Sequence, residues 1–84
     1  MRLDKYLKVS RLIKRRTVAG EACEQGKVTI NGKVAKPSAN VVTGDIIAIT
    51  FGKITVTVRI EKAVEHALKA DASDMYTVIP GNQN

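Results

Sequence analysis

The chain has 84 residues, enough for one domain with a small hydrophobic core. Hydrophobic residues make up 44% of it, which argues against wholesale disorder. The formal net charge is +6: residues 1–36 hold ten basic and three acidic side chains (+7), and residues 37–84 hold four and five (−1). Such asymmetry favours a polyanionic partner for the N-terminal part.

A membrane partner is disfavoured by the same composition. No apolar run approaches the roughly 20 residues of a membrane span, and the basic N-terminus lacks the apolar core of a signal peptide. The apolar face that Leu3, Tyr6 and Leu7 would form on a helix is also too narrow for a helix that lies on a membrane surface. A single cysteine, Cys23, cannot form an internal disulfide. We therefore expect a cytoplasmic protein that binds RNA or DNA.

The basic segment 2–17 contains half of the chain's lysines and arginines: Arg2, Lys5, Lys8, Arg11, Lys14, Arg15 and Arg16. Leu3, Tyr6 and Leu7 share one helix face by their spacing. One continuous helix would spread the cations over about 240° of its circumference. A break near Ser10 would instead gather them around a helix–turn–helix corner. A solvated charged face without a partner is the alternative that charge alone leaves open.

Two helices are predicted. The first covers residues 3–9, with Tyr6 in the core rather than stacked on a base. The second begins after Thr17, whose hydroxyl suits an N-cap, and ends before Gly26, a typical left-handed C-terminal residue. Its inner face is predicted to comprise small residues, namely Val18, Ala19, Ala22 and Cys23.

Strand periodicity begins at Lys27. Asn31-Gly32 predicts a type I′ hairpin turn, and Gly52-Lys53 predicts a type II′ turn. The segment 46–51 is nearly all apolar and is predicted to be buried on both faces.

The fold class is therefore α+β, with two packed N-terminal helices on a small, strongly bent antiparallel or mixed sheet. We assign residues 1–60 to one domain and residues 61–84 to a C-terminal extension continuous with it. In that extension we predict a short helix through residues 67–69, and either a strand or an extended docking segment over residues 75–79.

No catalytic chemistry is predicted. His66 is the only histidine, no phosphate-binding glycine loop is present, and no nucleophile–base pair is evident. We expect no metal, no cofactor and no enzymatic activity. With Tyr6, Phe51 and Tyr76 as the only aromatic residues, recognition of folded RNA by shape and backbone is favoured over stacking on single strands.

Several spaced motifs resemble the RNA-binding domain named after small-subunit ribosomal protein four. They are Arg2-Leu3-Asp4-Lys5-Tyr6-Leu7, Arg16-Thr17, Gly26-x-Val28-x-Ile30-Asn31-Gly32, Lys36-Pro37-Ser38 and Val42-x-Gly44-Asp45-x-Ile47. This resemblance covers roughly residues 1–60. It implies the alpha-L type of fold and a helical corner that holds structured RNA.

Nearly the whole chain resembles the RqcP family of bacterial ribosome-associated quality control proteins. The resemblance rests on the segment from residue 3 to 17, on Phe51-Gly52 and on Met75-Tyr76, whereas residues 63–72 match less closely. It implies binding to an obstructed large ribosomal subunit, with rRNA and peptidyl-tRNA as partners. It also implies action alongside RqcH during alanine tailing of the stalled chain. We expect a monomer.

The predicted RNA-binding residues follow from the basic segment and this resemblance. Arg2 and Arg16 are the first candidates, because a guanidinium can grip a phosphate or a base edge bidentately. Lys5 and Lys14 are expected to add point charge, and Thr17 to help seat a phosphate with the first amides of helix two. The complete predicted set is Arg2, Lys5, Lys8, Arg11, Lys14, Arg15, Arg16, Thr17 and Lys36.

The heat-shock protein fifteen family is the alternative resemblance. Its members bind dissociated large subunits with trapped peptidyl-tRNA and usually carry a basic C-terminal extension. Here residues 61–84 contain two lysines and His66 against four acids. This neutral tail favours the first family.

Overall fold

Two short helices open the chain in this computed structural model, which describes residues 1–65 and 69–80. Helix α1 spans Leu3–Val9 and helix α2 spans Arg16–Glu24. The predicted break is confirmed: Ser10 is the C-cap of α1, and its buried hydroxyl donates to the Leu7 carbonyl at 3.2 Å. No helix within the described ranges is long and apolar enough to cross a bilayer.

Within the described residues, five strands form one antiparallel sheet, in the order β2-β1-β3-β4-β5. The strands are β1 Val28–Ile30, β2 Lys33–Val34, β3 Ile46–Phe51, β4 Ile54–Ile60 and β5 Tyr76–Ile79. A 3₁₀ helix, Lys69–Met75, leads into β5. The α+β prediction is confirmed, and the choice between an antiparallel and a mixed sheet is resolved as antiparallel.

The two predicted hairpin turns are confirmed by their backbone angles. Asn31 and Gly32 both have positive φ, 51° and 86°, as a type I′ turn requires. Gly52 has φ 60° in the two-residue loop that joins β3 to β4, as a type II′ turn requires at its first central position. The loop residues therefore set the register of both hairpins.

The hydrophobic core lies between the helices and the sheet. Leu3, Tyr6 and Leu7 from α1 are fully buried, and so are Val58 and Ile60 from β4. At roughly 25 cal/mol per Å² of apolar surface, burying such side chains is the main stabilising contribution in a chain of this size. From α2, Ala19 and Cys23 are buried and Ala22 is half-buried, whereas Val18 is exposed, unlike its prediction.

The prediction that segment 46–51 is buried on both faces is wrong. Ile47 and Ile49 are fully buried, but Ile46 and Ala48 between them are only half-buried, and Phe51 is exposed. This alternation is the pattern of an antiparallel strand with one covered face. A run of apolar residues shows that a strand is hydrophobic, but it does not show whether one or both faces of that strand are covered by other elements.

The C-terminal part of the chain is joined to the core through Met75 and β5. The Met75 side chain is buried, and its carbonyl accepts a 2.8 Å hydrogen bond from the Tyr6 hydroxyl. Burial, with the nearby Tyr76 and Glu61, raises the pKa of Tyr6, so this hydroxyl remains a donor. Strand β5 falls within the predicted range 75–79.

The predicted helix through residues 67–69 lies mainly outside the described residues, at Ala67 and Leu68. The 3₁₀ helix begins at Lys69. The division of the chain at residue 60 stays a prediction.

Candidate nucleic-acid interface

Asp4 connects Arg2 and Arg16 at the starts of the two helices, and we call this cluster, with the exposed cations of the turn between the helices, the basic corner. Its carboxylate accepts two hydrogen bonds from Arg2, from Nε to Oδ1 at 3.2 Å and from Nη2 to Oδ2 at 3.1 Å. Nη2 of Arg16 donates to Oδ1 at 3.3 Å, and the backbone amide of Lys5 donates to the same oxygen at 2.7 Å. One carboxylate therefore joins the starts of both helices.

The electrostatics of this cluster keep Asp4 ionised. Burial by itself would raise the pKa of the carboxyl, but the hydrogen bonds from Arg2, Arg16 and the Lys5 amide outweigh it and lower that pKa. The hydrogen bond and the charge of Asp4 in turn raise the pKa of Arg2. The ion pairs therefore persist across the physiological pH range, and the stability they contribute is lost only as pH falls through the depressed Asp4 pKa.

Exposure differs sharply within the cluster. The Asp4 side chain is 9% exposed, whereas the side chains of Arg2 and Arg16 are 54% and 47% exposed. Each guanidinium is thus held on one side by the buried acid and faces solvent on the other. Exposed, oriented N–H groups are what bidentate binding of a phosphate requires.

The backbone around Arg2 is fixed by the loop that follows β2. The Leu3 amide donates to the Ala39 carbonyl at 2.8 Å, and the Asp4 amide donates to the Pro37 carbonyl at 3.1 Å. Arg2 also forms an isolated antiparallel bridge with Asn40. The same loop brings Lys36, which is exposed and precedes Pro37, toward the start of α1.

The prediction that Thr17 caps α2 is wrong. The helix begins at Arg16, its N-cap is Arg15 in an extended conformation, and no side chain caps it. The Ala19 amide donates to the Arg15 carbonyl at 3.0 Å, so the first turn runs from Arg15 to Ala19 and Thr17 lies inside it. A cap is worth about 1 kcal/mol, which the ion pair between Arg16 and Asp4 can offset. Thr17 is an exposed residue of the first turn.

The turn between the helices contains a residue in a costly conformation. Arg11 has φ 65°, in the left-handed region that favours glycine and costs other residues roughly 1–2 kcal/mol. Its amide donates to the Lys8 carbonyl at 3.1 Å, and its side chain is exposed. A glycine would satisfy this backbone at lower cost, so the arginine is not explained by the fold.

Replacing Arg11 with Gly should leave the free energy of unfolding within about 1 kcal/mol of wild type, because relief of backbone strain offsets the greater entropy of unfolded Gly. RNA binding should weaken several-fold through the lost charge. Thermal unfolding and RNA titration check both results. Arg11→Lys keeps the charge and should bind as wild type; equal RNA binding by Arg11→Gly would contradict a role for this side chain.

Lys5 is less available than predicted. Its Nζ forms a salt bridge with Glu65, which ties α1 to the chain beyond β4. The predicted cations in and next to the turn are exposed, and within the described ranges they form no salt bridge with a protein acid; they are Lys8, at the end of α1, and Arg11, Lys14 and Arg15. Of the predicted residues, the structure brings Arg2 and Arg16 together on Asp4, and it leaves Lys5 partly neutralised by Glu65.

Cys23 is not part of the basic corner and has no reactive thiolate near neutral pH. It is buried, and that burial raises the pKa of its thiol to about 11, so it stays protonated near neutral pH. The prediction of a small buried apolar residue is confirmed.

These features define a class of protein: two helices that present a basic corner on an antiparallel sheet. The family model of the S4 domain matches residues 1–47, which is more than half of the chain, and the chain belongs to the S4 domain family. The family predicted from the motifs is therefore confirmed.

Individual proteins similar to this chain are also known. A Listeria monocytogenes protein named RQC P-site tRNA stabilizing factor is 58% identical over 79 residues, which cover 94% of this chain and 86% of that protein. A Bacillus subtilis protein of the same name is 49% identical, with 94% and 92% covered. The trimeric structure of Vibrio cholerae Heat Shock Protein 15 matches with a TM-score of 0.87 at 36% identity, covering 94% of this chain and 81% of that one.

Proposed function

We propose that this protein is a non-catalytic RNA-binding factor of translation that acts in ribosome-associated quality control. It binds the obstructed large ribosomal subunit, contacting rRNA and peptidyl-tRNA, and supports the addition of C-terminal alanines to the stalled chain alongside RqcH. It acts as a cytoplasmic monomer. The observation that carries the proposal is the convergence of Arg2 and Arg16 on Asp4, with their outer faces exposed.

The chemistry of this surface fits the backbone of folded RNA. Asp4 holds Arg2 and Arg16 together at the starts of the two helices, and the cations of the turn between the helices are exposed. Such a fixed arrangement suits the phosphates of a folded RNA hairpin better than those of a flexible single strand. Each neutralised phosphate releases condensed counterions, and affinity therefore falls steeply as salt rises. Residues proposed to contact RNA are Arg2, Lys5, Lys8, Arg11, Lys14, Arg15, Arg16, Thr17 and Lys36.

The name carried by relatives supports the choice of ribosomal partner. Proteins called RQC P-site tRNA stabilizing factor are 58% and 49% identical to this chain over almost their whole lengths. Each match spans 79 of the 84 residues and therefore includes β5 and most of the basic segment, which supports a shared kind of RNA partner.

A second candidate is a factor that rescues dissociated large subunits carrying peptidyl-tRNA, as the resemblance to heat-shock protein fifteen implied. The TM-score of 0.87 to Vibrio cholerae Heat Shock Protein 15 favours it. Against it, a Heat shock protein 15 homolog from Aeromonas salmonicida is only 33% identical, and this chain covers 57% of that protein.

The proposal is tested by co-sedimentation of the full chain with purified large subunits, either empty or carrying peptidyl-tRNA. We expect association that is stronger with peptidyl-tRNA and weakens by orders of magnitude between about 50 and 200 mM salt. Absence of association at low salt would overturn it. In cells lacking the protein, loss of alanine tails supports the first candidate. Intact tails with accumulated peptidyl-tRNA on free large subunits support the second.

A further inference from the structure

Attraction between a basic surface and a polyanion does not explain why an acid, Asp4, lies within the basic corner. Asp4 contributes a negative charge to a surface proposed to bind a polyanion, and it lies within hydrogen-bond distance of both leading arginines. If affinity depended on net positive potential alone, an uncharged residue would serve better there. Its benefit must therefore be geometric or purely structural.

We propose that Asp4 is a positioning residue for RNA binding, which holds the guanidiniums of Arg2 and Arg16 in the mutual orientation that a folded RNA backbone requires. This inference rests on the proposed function. Asp4 does not itself contact RNA, since its side chain is 9% exposed and both its oxygens already accept hydrogen bonds from the two arginines.

The physical gain is preorganisation. A free arginine side chain populates many rotamers, and fixing it on binding has an entropic cost. Arg2 is held through two N–H groups, and Arg16 through one, so both side chains are ordered before RNA arrives. Their side chains, 54% and 47% exposed, lie at the starts of two different helices. A flexible polyanion can adapt to any arrangement of cations, whereas a rigid RNA hairpin cannot.

A purely structural role makes a different prediction. An acid in the first turn of α1 also interacts favourably with the helix dipole. If that were its whole contribution, neutralising Asp4 would lower stability, yet each folded molecule would bind any RNA equally well or more tightly because of the added positive charge. Positioning predicts opposite changes for rigid and flexible polyanions.

The experiment compares Asp4→Asn with wild type on large subunits carrying peptidyl-tRNA and on heparin, with binding expressed per folded molecule. The substitution changes the formal net charge from +6 to +7. We expect subunit binding to weaken about ten-fold, because two long side chains would have to be ordered on binding. Heparin binding should be unchanged or tighter.

Glu61→Gln is the matched control. It makes the same charge change and removes a carboxylate that accepts hydrogen bonds from Arg59 at 3.0 Å and from Thr77 at 2.7 Å, but Glu61 lies just after β4 rather than in the basic corner. We expect this variant to bind both polyanions at least as tightly as wild type.

Asp4→Glu covers the case in which Asp4→Asn does not fold. It keeps every charge and changes only the reach of the carboxylate, so we expect weaker subunit binding with unchanged heparin binding. Wild-type affinity for subunits in the folded Asp4 variant would overturn the positioning role. If wild-type protein itself fails to bind subunits, the proposed function fails, and this inference fails with it.

Discussion

Replacing both Arg2 and Arg16 with alanine should reduce affinity for large ribosomal subunits by about 100-fold, or roughly 2.7 kcal/mol. Each arginine is proposed to give RNA a charge-assisted hydrogen bond, and such bonds contribute about 1.5–3 kcal/mol each. The two guanidiniums share one carboxylate, so their losses should not be additive. Equilibrium co-sedimentation at fixed salt measures the change.

Two controls separate this effect from charge and from unfolding. Lys53→Ala with Arg59→Ala removes the same two charges from the β3–β4 hairpin and should weaken binding far less. The double arginine variant also leaves Asp4 buried without its charged partners, which destabilises the fold. Adding Asp4→Asn to it should restore thermal stability without restoring binding. Near wild-type binding by the double arginine variant would exclude the corner as the RNA site.

A chain that ends at residue 60 should fail to unfold cooperatively. It would lose β5, which pairs with β4 from Thr57 to Ile60, and it would lose the buried Met75. Removing a buried Met side chain alone costs about 2–5 kcal/mol, and a domain of this size has only about 4–13 kcal/mol of net stability. The Tyr6 hydroxyl would also lose its acceptor.

Thermal unfolding followed by circular dichroism checks this expectation. The matched control is a chain that ends at Pro80, which retains every contact described above and should unfold cooperatively within a few degrees of the full chain. Met75→Ala should fall between the two. A cooperative transition for residues 1–60 would show that the C-terminal part is an independent addition rather than part of the same domain.

Much of the fold could be predicted from local patterns. The apolar spacing of Leu3, Tyr6 and Leu7 predicted α1, and Asn31-Gly32 predicted the first hairpin. Both signals depend on interactions within a few residues, which the sequence displays directly. Patterns of this kind do not show what lies across the sheet, so the nearly apolar segment 46–51 was assigned two buried faces.

The geometry of the candidate site depended on distances that no local pattern contains. Arg16 reaches Asp4 across twelve positions of sequence, and Lys5 reaches Glu65 across sixty. Both contacts depend on how the helices and the sheet pack together. The local preference of Thr17 for an N-cap was outweighed by the same packing, because Arg16 is held at the first position of α2.

The cluster around Asp4 left one partial signal in the sequence. The close spacing of Arg2 and Asp4 permits a side-chain hydrogen bond, and the acid stands alone among seven cations in the basic segment. The sequence did not show that Asp4 would bind two guanidiniums, or which ones. Both became evident only from the relative placement of the helices.

A cryo-EM map of the protein on large subunits recovered from cells would show which surface binds RNA. We expect the exposed faces of Arg2 and Arg16 to lie against the backbone of folded rRNA beside peptidyl-tRNA, with Asp4 still between them. A map in which RNA lies on the sheet and the helical corner faces solvent would contradict it.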